Sequence, residues 1–219
     1  MGQSKKPIDR VAEEAKTWCI PEDDQREEKA QRERIRHPKL IKDLLLDQLS
    51  THRMDVLEIG GGPLPVTDLL PFSSRFVVDP CTDQYRDYFP CNDHINDTIE
   101  NFYTDDLEER FDLVVCTNAL DHVQEDMVPW VFDVIRRVLR PGGFAAIMCA
   151  ENNALTNPHP CHAVNLDASR VHRALDAEFE TVWELTYARD GYRYGWAEYE
   201  GKIGQPAFAI LFRKAVGYE

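Results

Sequence analysis

The stretch DVLEIGGGPLP, residues 55–65, decides the fold class of this chain. It begins with an apolar run at 56–59, which is typical of a buried β-strand, and three glycines, Gly60, Gly61 and Gly62, follow that run directly. Glycine adopts positive φ without strain and lets a ligand approach the main chain, and a helix that starts there offers unpaired N–H groups. The stretch therefore predicts a strand-to-helix turn, which is either a ligand-binding turn or an ordinary tight turn.

An acidic residue, Asp79, lies at the end of the next apolar run, RFVVDP at 75–80. It follows Gly60 by nineteen positions. In nucleotide-binding βαβ units, an acidic residue about 20 positions after the first glycine accepts hydrogen bonds from ribose hydroxyls. Aspartate also occurs at strand ends as an ordinary solvent-facing residue. The glycine turn and the acidic strand end together predict an adenosine-containing ligand.

The residues around the glycines narrow the choice of ligand. A dinucleotide-binding turn needs G-x-G-x-x-G, but Pro63, Leu64 and Pro65 follow Gly62, so the last glycine is missing. No Gly-Lys-Ser/Thr follows the glycines, which excludes a P-loop. Glu58, just before the glycines, is badly placed for a diphosphate and suits a cationic amino-acid group.

The rest of the chain alternates between strand and helix patterns. Apolar runs lie at 56–59, 76–78, 111–116 and 144–149, and helices are predicted near 65–71, 82–89, 127–139 and 167–175. Strands separated by helices pair in parallel through right-handed crossovers. Two further strand candidates, FETVWELTYAR (179–189) and PAFAILFRKA (206–215), flank a segment rich in glycine and aromatic residues that suggests a hairpin arm. The prediction is a Rossmann-like, doubly wound α/β sheet with helices on both faces.

Length and charge limit the class of protein. The 219 residues fit one domain at 51–219 with an N-terminal helical cap or lid at 1–50. The net charge of −14 disfavours DNA and anionic membranes as partners. No apolar run approaches the roughly 20 residues of a membrane span, and the N-terminus lacks the apolar core of a signal peptide. Six cysteines without a CxxC pair, several of them in apolar runs, indicate buried thiols in a reducing compartment, so a cytoplasmic location is expected.

Four ordered motifs in residues 54–150 resemble the class I S-adenosylmethionine-dependent methyltransferases. DVLEIGGGPLP resembles the first motif of that family, and VVDP (77–80) resembles the second. FDLVVCTNALDHV (111–123) resembles the motif of the fourth strand, and RVLRPGGFAAI (137–147) resembles the one that leads into the fifth, with 141–143 as its turn. The resemblance implies S-adenosylmethionine as cofactor. It also implies a mostly parallel seven-stranded sheet with one antiparallel edge strand.

The same resemblance implies three groups of cofactor contacts. The methionine part of the cofactor is expected against Glu58, Gly60, Gly61 and Gly62. The ribose is expected at Asp79 with Pro80 beside it, and the adenine at Asp97, Thr98 and Ile99. Leu64 stands where many members of the family have a third glycine.

The acceptor side of the site is expected in two loops that follow the fourth and fifth strands. In the first loop, Asn118 either lines the cofactor pocket or caps a turn, and His122 either acts as general base or packs against the following helix. In the second, His159, Cys161 and His162 cluster. Their spacing matches no standard structural zinc site, so we expect no metal there, and acceptor binding with proton removal or a loop-stabilising role remain as alternatives.

The sequence thus predicts a small-molecule methyltransferase. The expected acceptor carries a hydroxyl or an amine, as in a sugar or a natural-product intermediate, and a homodimer is one candidate for the oligomeric state, which the sequence leaves open. His122, His162 and His159 are the candidate catalytic residues. Two alternatives stay open: methylation of a macromolecule such as a protein or an RNA, and a catalytically inactive cofactor-binding subunit with a regulatory role.

Overall fold

Seven β-strands form one sheet in the order β3-β2-β1-β4-β5-β7-β6. The computed structural model describes residues 42, 45–62, 65–86, 94–150, 164–175, 177–188 and 206–216. The strands are β1 (Asp55–Ile59), β2 (Ser74–Val78), β3 (His94–Ile95), β4 (Phe111–Thr117), β5 (Leu139–Ala150), β6 (Phe179–Ala188) and β7 (Pro206–Lys214). The α-helices are α1 (Thr82–Tyr85), α2 (Ile99–Phe102), α3 (Val128–Val138) and α4 (Ala168–Leu175), and short 3-10 turns lie at Thr51–Arg53, Val66–Leu69, Asp105–Leu107 and Leu120–His122.

The first five strands pair in parallel, and this confirms the expected α/β sheet. β1 pairs with both β2 and β4, β2 with β3, and β4 with β5. The carboxyl ends of these strands therefore meet at one edge of the sheet, which we call the carboxyl edge. Ligands of open α/β sheets bind at this edge.

The expectation of an antiparallel edge strand is wrong, because the antiparallel strand lies inside the sheet. β7 pairs antiparallel with β5 on one side and with β6 on the other, so β6 forms the edge. The residue patterns explain this order. β7 has a continuous run of buried apolar residues from Ala207 to Phe212, as a strand covered on both faces requires, whereas β6 includes Glu180 and Glu184.

Alternate residues of the strands pack on opposite faces of the sheet. Leu57, Val114, Ile147 and Ile210 belong to the core that α3 and α4 cover. Leu113, Val115, Ala146, Met148 and Leu211 face the other way, toward a smaller cluster that includes Leu45, Leu49, Val66 and Leu70. The period of two follows from the pleat of each strand.

α3 is the longest described helix and confirms the prediction at 127–139. Its buried residues, which recur at helical spacing, are Val128, Val131, Phe132, Val134, Ile135 and Val138. Lys214 of β7 donates from Nζ to the carbonyl oxygens of Arg136 and Leu139, both at 2.8 Å. This ammonium satisfies carbonyls that a helix C-terminus leaves without intrahelical partners.

Several predicted elements differ in extent. The helix expected near 65–71 is only the 3-10 turn Val66–Leu69, since Pro65 and Pro71 bracket it and prevent a longer helix. Of the helix expected at 82–89, the structure describes α1 and Arg86, and the remainder lies outside the described residues. The expected turn at 141–143 lies within β5, where Gly142 has φ +80° and the β4–β5 register shifts between Phe111 and Leu113.

Some expectations fall on parts of the chain that the structure does not describe. These are most of the helical cap at 1–50, the loop at 151–163 and the arm at 189–205. Within the described residues, no helix has the length and apolar character that crossing a membrane requires.

Candidate functional site

The glycine turn lies at the carboxyl edge, directly after β1. The N–H of Gly60 donates to the carbonyl oxygen of Val78 at 2.8 Å, so the turn stays joined to β2. Gly60 and Gly62 have φ of +67° and +60°, the left-handed region that favours glycine. A Cβ placed on Gly60 would lie 2.2 Å from Cβ of Ala119, whereas one on Gly62 would meet nothing within 4 Å. Gly60 is therefore required by packing, and Gly62 presents open backbone.

Glu58 lies buried beneath the turn, with 1% of its surface exposed. Its two carboxylate oxygens accept hydrogen bonds from the main-chain N–H groups of Val66 and Thr67, both at 2.9 Å. The Thr67 hydroxyl also donates to Glu58 at 2.5 Å. Burial raises the pKa of Glu58 to about 7, although these hydrogen bonds oppose the rise. Glu58 thus fixes the segment that leaves the glycine turn.

Asp79 connects the second strand to the glycine turn. Its side chain follows β2, and its Oδ2 accepts a hydrogen bond from the N–H of Gly62 at 2.8 Å. Its Oδ1 accepts the N–H of Cys81, also at 2.8 Å. The residue is 5% exposed. Asp79 therefore connects the glycine turn to the residues that follow β2.

The residues expected near adenine lie after β3, on the same edge of the sheet. Asp97 accepts hydrogen bonds at Oδ1 from the N–H of Thr98 at 2.8 Å and from the side-chain amide of Asn101 at 3.0 Å. This arrangement holds the start of α2, whose first residue, Ile99, is buried. Pro80 is half-buried beside Asp79. The structure therefore brings Asp97, Thr98 and Ile99 to the edge that carries Asp79.

The turn after β4 packs onto the glycine turn. Asn118 has φ +49°, a left-handed conformation that asparagine tolerates better than most residues, and its N–H donates to the carbonyl oxygen of Met148 at 2.8 Å. The Ala119 side chain occupies the space beside Gly60. The β1 and β4 turns therefore fit together as one surface.

His122 ends the 3-10 turn that follows Ala119. Its N–H donates to the carbonyl oxygen of Ala119 at 3.0 Å, and its side chain is partly exposed. Its Nε2 lies 3.8 Å from a carboxylate oxygen of the buried Asp121. The carbonyl oxygen of Asp121 in turn accepts the N–H of Val164 at 3.3 Å, which ties this turn to the segment before α4.

Two of the three candidate histidines are not placed. His159 and His162 lie outside the described residues, as does Cys161. Cys81, Cys116 and Cys149 are buried, and burial raises the pKa of the Cys116 thiol, which keeps it protonated. Among the residues the structure describes, no group of three or more His, Cys, Asp or Glu side chains is arranged to hold a metal ion.

Sequence reasoning missed the supports of the turn. Val66 and Thr67 bind the Glu58 carboxylate, and Ala119 fills the space next to Gly60. The only local signal for the contact with Glu58 was the threonine at 67, near the start of a short predicted helix. The second contact joins residues 59 positions apart and leaves no local pattern.

Comparison with known proteins shows which proteins share this arrangement. A family model described as a methyltransferase domain matches residues 28–184, which is most of the chain. Among curated proteins, no sequence matches significantly.

Several solved structures share the fold. The 1,6-didemethyltoxoflavin-N1-methyltransferase of Burkholderia thailandensis, solved with 1,6-didemethyltoxoflavin and S-adenosylhomocysteine, is 18% identical over 98% of this chain and 93% of that chain, with a TM-score of 0.62. The N-methyltransferase NodS of Bradyrhizobium japonicum, solved with S-adenosylhomocysteine, is also 18% identical, over 94% and 99%, with a TM-score of 0.63. The 4+2 cyclase SpnF is 16% identical over 82% and 81%, with a TM-score of 0.59. At these identities the likeness establishes the fold alone.

Proposed function

The chain belongs to the class I S-adenosylmethionine-dependent methyltransferases, and from that premise we propose that it transfers the methyl group of S-adenosylmethionine to a small-molecule acceptor. The main support for this proposal is the hydrogen bond that the N–H of Gly62 donates to the Asp79 carboxylate at the carboxyl edge. That contact joins the candidate ribose-binding group to the open glycine backbone in a single site.

The residues of this site fit the cofactor. Asp79 would accept the ribose hydroxyls, and Gly60–Gly62 would lie against the methionine part, where the absence of a side chain at Gly62 leaves room. Asp97, Thr98 and Ile99 would hold the adenine. Glu58 would support the glycine turn from its buried side, because both of its carboxylate oxygens already accept hydrogen bonds from the N–H groups of Val66 and Thr67. When bound, the cofactor supplies an electrophilic methyl group on a sulfonium sulfur.

The protein has to position the acceptor, exclude water and remove a proton where the acceptor needs it. We assign acceptor binding to the turn 118–122 and to the loop 152–162, since both follow carboxyl ends of neighbouring strands. His122 is the described candidate for a general base, and His159 and His162 are candidates from the sequence. A hydroxyl acceptor would give its proton to an imidazole nitrogen as the methyl transfers, whereas a neutral amine would need positioning only.

A small acceptor is favoured over a macromolecule for two reasons. The net charge of −14 repels the phosphate backbone of nucleic acids. In addition, two of the structural relatives are described as N-methyltransferases, and one of them was solved with a small heteroaromatic compound.

Two measurements test the proposal. Calorimetry should detect binding of S-adenosylhomocysteine and no binding of NAD, and the reverse result would overturn it. The protein should then be mixed with cofactor carrying a labelled methyl group and with a fractionated metabolite extract, and mass spectrometry should find labelled products of low molecular mass. Label that appears only in protein or RNA would favour the macromolecular alternative, and cofactor binding without any labelled product would favour a regulatory subunit.

The role of the histidines has its own test. Replacing the working base with Ala should lower turnover by roughly 10²–10⁴-fold and leave the cofactor Kd nearly unchanged. If H122A, H159A, H162A and the triple variant all keep turnover within a few-fold of wild type, histidine base catalysis is wrong and positioning alone accounts for transfer.

A further inference from the structure

A cavity with one polar wall lies next to the turn after β4. It lies on the sheet face that carries Ala146 and Met148, and its apolar lining also includes Leu45, Trp183 and Ala209. The space between these side chains is about 320 Å³ when its mouth is included. This space is small for a ligand pocket, so it takes one end of an acceptor and the rest of the molecule extends beyond it.

Thr117 is the polar member of the described lining. It is the last residue of β4, pairs with Met148 in the sheet and immediately precedes Asn118. Its Oγ1 is buried and has no hydrogen-bond partner among the described residues. A buried hydroxyl without a partner is destabilising, and native proteins retain few such groups.

Thr51 provides an internal comparison. Its Oγ1 is also buried without a hydrogen-bond partner in the described part of the chain. Thr51 lies in the 3-10 turn just before β1, so it is at the opposite edge of the sheet from the glycine turn. Thr117 differs from Thr51 by its position at the carboxyl edge and by facing a cavity. If a buried hydroxyl serves ligand binding, Thr117 is the one placed to do so.

We propose that this cavity receives an uncharged end of the methyl acceptor, and that the Thr117 hydroxyl donates a hydrogen bond to an oxygen or nitrogen atom of it. The inference rests on the proposed function and adds a substrate class to it. None of the described lining residues is charged, and placing an unpaired charge among apolar side chains is strongly unfavourable. Ala146 and Ala209 provide the room that larger side chains would fill. Thr117 is therefore a specificity-determining residue of the acceptor site.

The test uses 2-pyridone as probe, because it is a flat, uncharged ring with a carbonyl oxygen. The full chain, saturated with S-adenosylhomocysteine and labelled with ¹³C at the methionine methyl groups, is titrated with 2-pyridone, with toluene and with benzoate. The Met148 signal, assigned from M148L, reports on the cavity. We expect 2-pyridone to shift this signal saturably and more strongly than toluene, which lacks the carbonyl, and we expect benzoate to leave it unchanged.

The variants separate a ligand-binding hydroxyl from a structural one. T117V should raise the Kd of 2-pyridone roughly threefold to tenfold, the effect of losing one hydrogen bond, and should melt at the same temperature as wild type or higher. T117S keeps the hydroxyl and should bind like wild type, and T51V is the matched control that should change stability only. Equal binding by T117V and wild type, equal binding of benzoate and 2-pyridone, or no shift at Met148 would overturn the inference. Calorimetry with S-adenosylhomocysteine on the same samples keeps the proposed function separate, since loss of cofactor binding contradicts that proposal instead.

Discussion

Among single residues, Asp79 has the largest predicted effect on cofactor binding. Replacing it with Ala removes the contacts to Gly62 and Cys81 and would also remove the proposed charge-assisted hydrogen bond to ribose. We expect D79A to weaken S-adenosylhomocysteine binding by about 1.5–3 kcal/mol, or roughly 10- to 150-fold in Kd by calorimetry. D79N keeps one oxygen and loses the charge, so its Kd should lie between those of wild type and D79A. A D79A Kd within twofold of wild type would contradict the ribose role.

The glycines of the turn differ in a way that mutation can measure. Both Gly60 and Gly62 have positive φ, so an Ala at either position carries a backbone penalty of about 1–2 kcal/mol. At Gly60 the new methyl group would also lie 2.2 Å from Cβ of Ala119, whereas at Gly62 it would meet nothing within 4 Å. Urea unfolding should therefore show a larger loss of stability for G60A than for G62A, and A119G should recover part of the G60A loss. Equal losses for both variants would show that packing at Ala119 does not matter.

Glu58 makes stability depend on pH. Burial raises its pKa to about 7 in the folded protein, from 4.5 for an unperturbed glutamate. Between those values the folded state holds a proton that the unfolded state has lost, so the free energy of unfolding falls as pH rises from about 4.5 to 7 and then levels off. The full decrease is on the order of 3 kcal/mol.

The variant E58Q removes this titration and isolates its contribution. Gln is neutral at every pH, so the stability of wild type minus that of E58Q should decrease from pH 4.5 to 7 in urea titrations. A difference that stays constant over this range would mean that Glu58 titrates normally in the folded protein.

At the scale of elements, the edge of the sheet opposite the glycine turn is held by ion pairs. Arg140 at the start of β5 contacts Asp112 of β4 at 2.7 Å and Asp55 of β1 at 3.1 Å. Because Arg140 is 42% exposed, solvent screens these pairs, and we expect R140L to lose no more than about 1 kcal/mol in urea unfolding. Cofactor affinity should stay unchanged, since these residues lie at the strand ends remote from Asp79. A changed Kd for S-adenosylhomocysteine would show that the two edges are coupled.

The elements that sequence could predict are those whose signal is local. β1 and β4 are mostly apolar because both faces of a central parallel strand are buried, and α3 has a helical repeat of buried residues. The apolar pattern at 65–71 predicts a longer helix than the turn Val66–Leu69 that forms there. The prolines on either side limit the turn, and the prediction gave them too little weight. The position of β7 between β5 and β6 could not be inferred from chain order, although its unbroken apolar run indicated an inner strand.

In the candidate site, too, some features have a local sequence signal and others depend on packing between distant segments. The position of Asp79 next to the glycine turn could be predicted from its spacing after Gly60, since that spacing reflects one βαβ unit. The contact of Glu58 with Thr67 and of Gly60 with Ala119 depends on how separate segments pack, which no spacing records. Thr117 was not singled out for the same reason, because its missing hydrogen bond is visible only when its surroundings are known.

For the whole molecule, the proposed cofactor site and the Arg140 ion pairs lie at opposite edges of the sheet, so they can be tested separately. A ligand that binds only the folded state adds RT ln(1 + [L]/Kd) to stability, about 2.7 kcal/mol when its concentration is 100 times Kd. S-adenosylhomocysteine at that excess should therefore raise the unfolding midpoint of wild type. R140L should start from the same or a lower midpoint and show the same rise, because its cofactor site is intact. D79A should show a smaller rise at this ligand concentration, about 0.3–1.4 kcal/mol for a Kd that is 10- to 150-fold higher. A full ligand-induced rise in D79A, or its loss in R140L, would mean that the cofactor does not bind at the carboxyl edge.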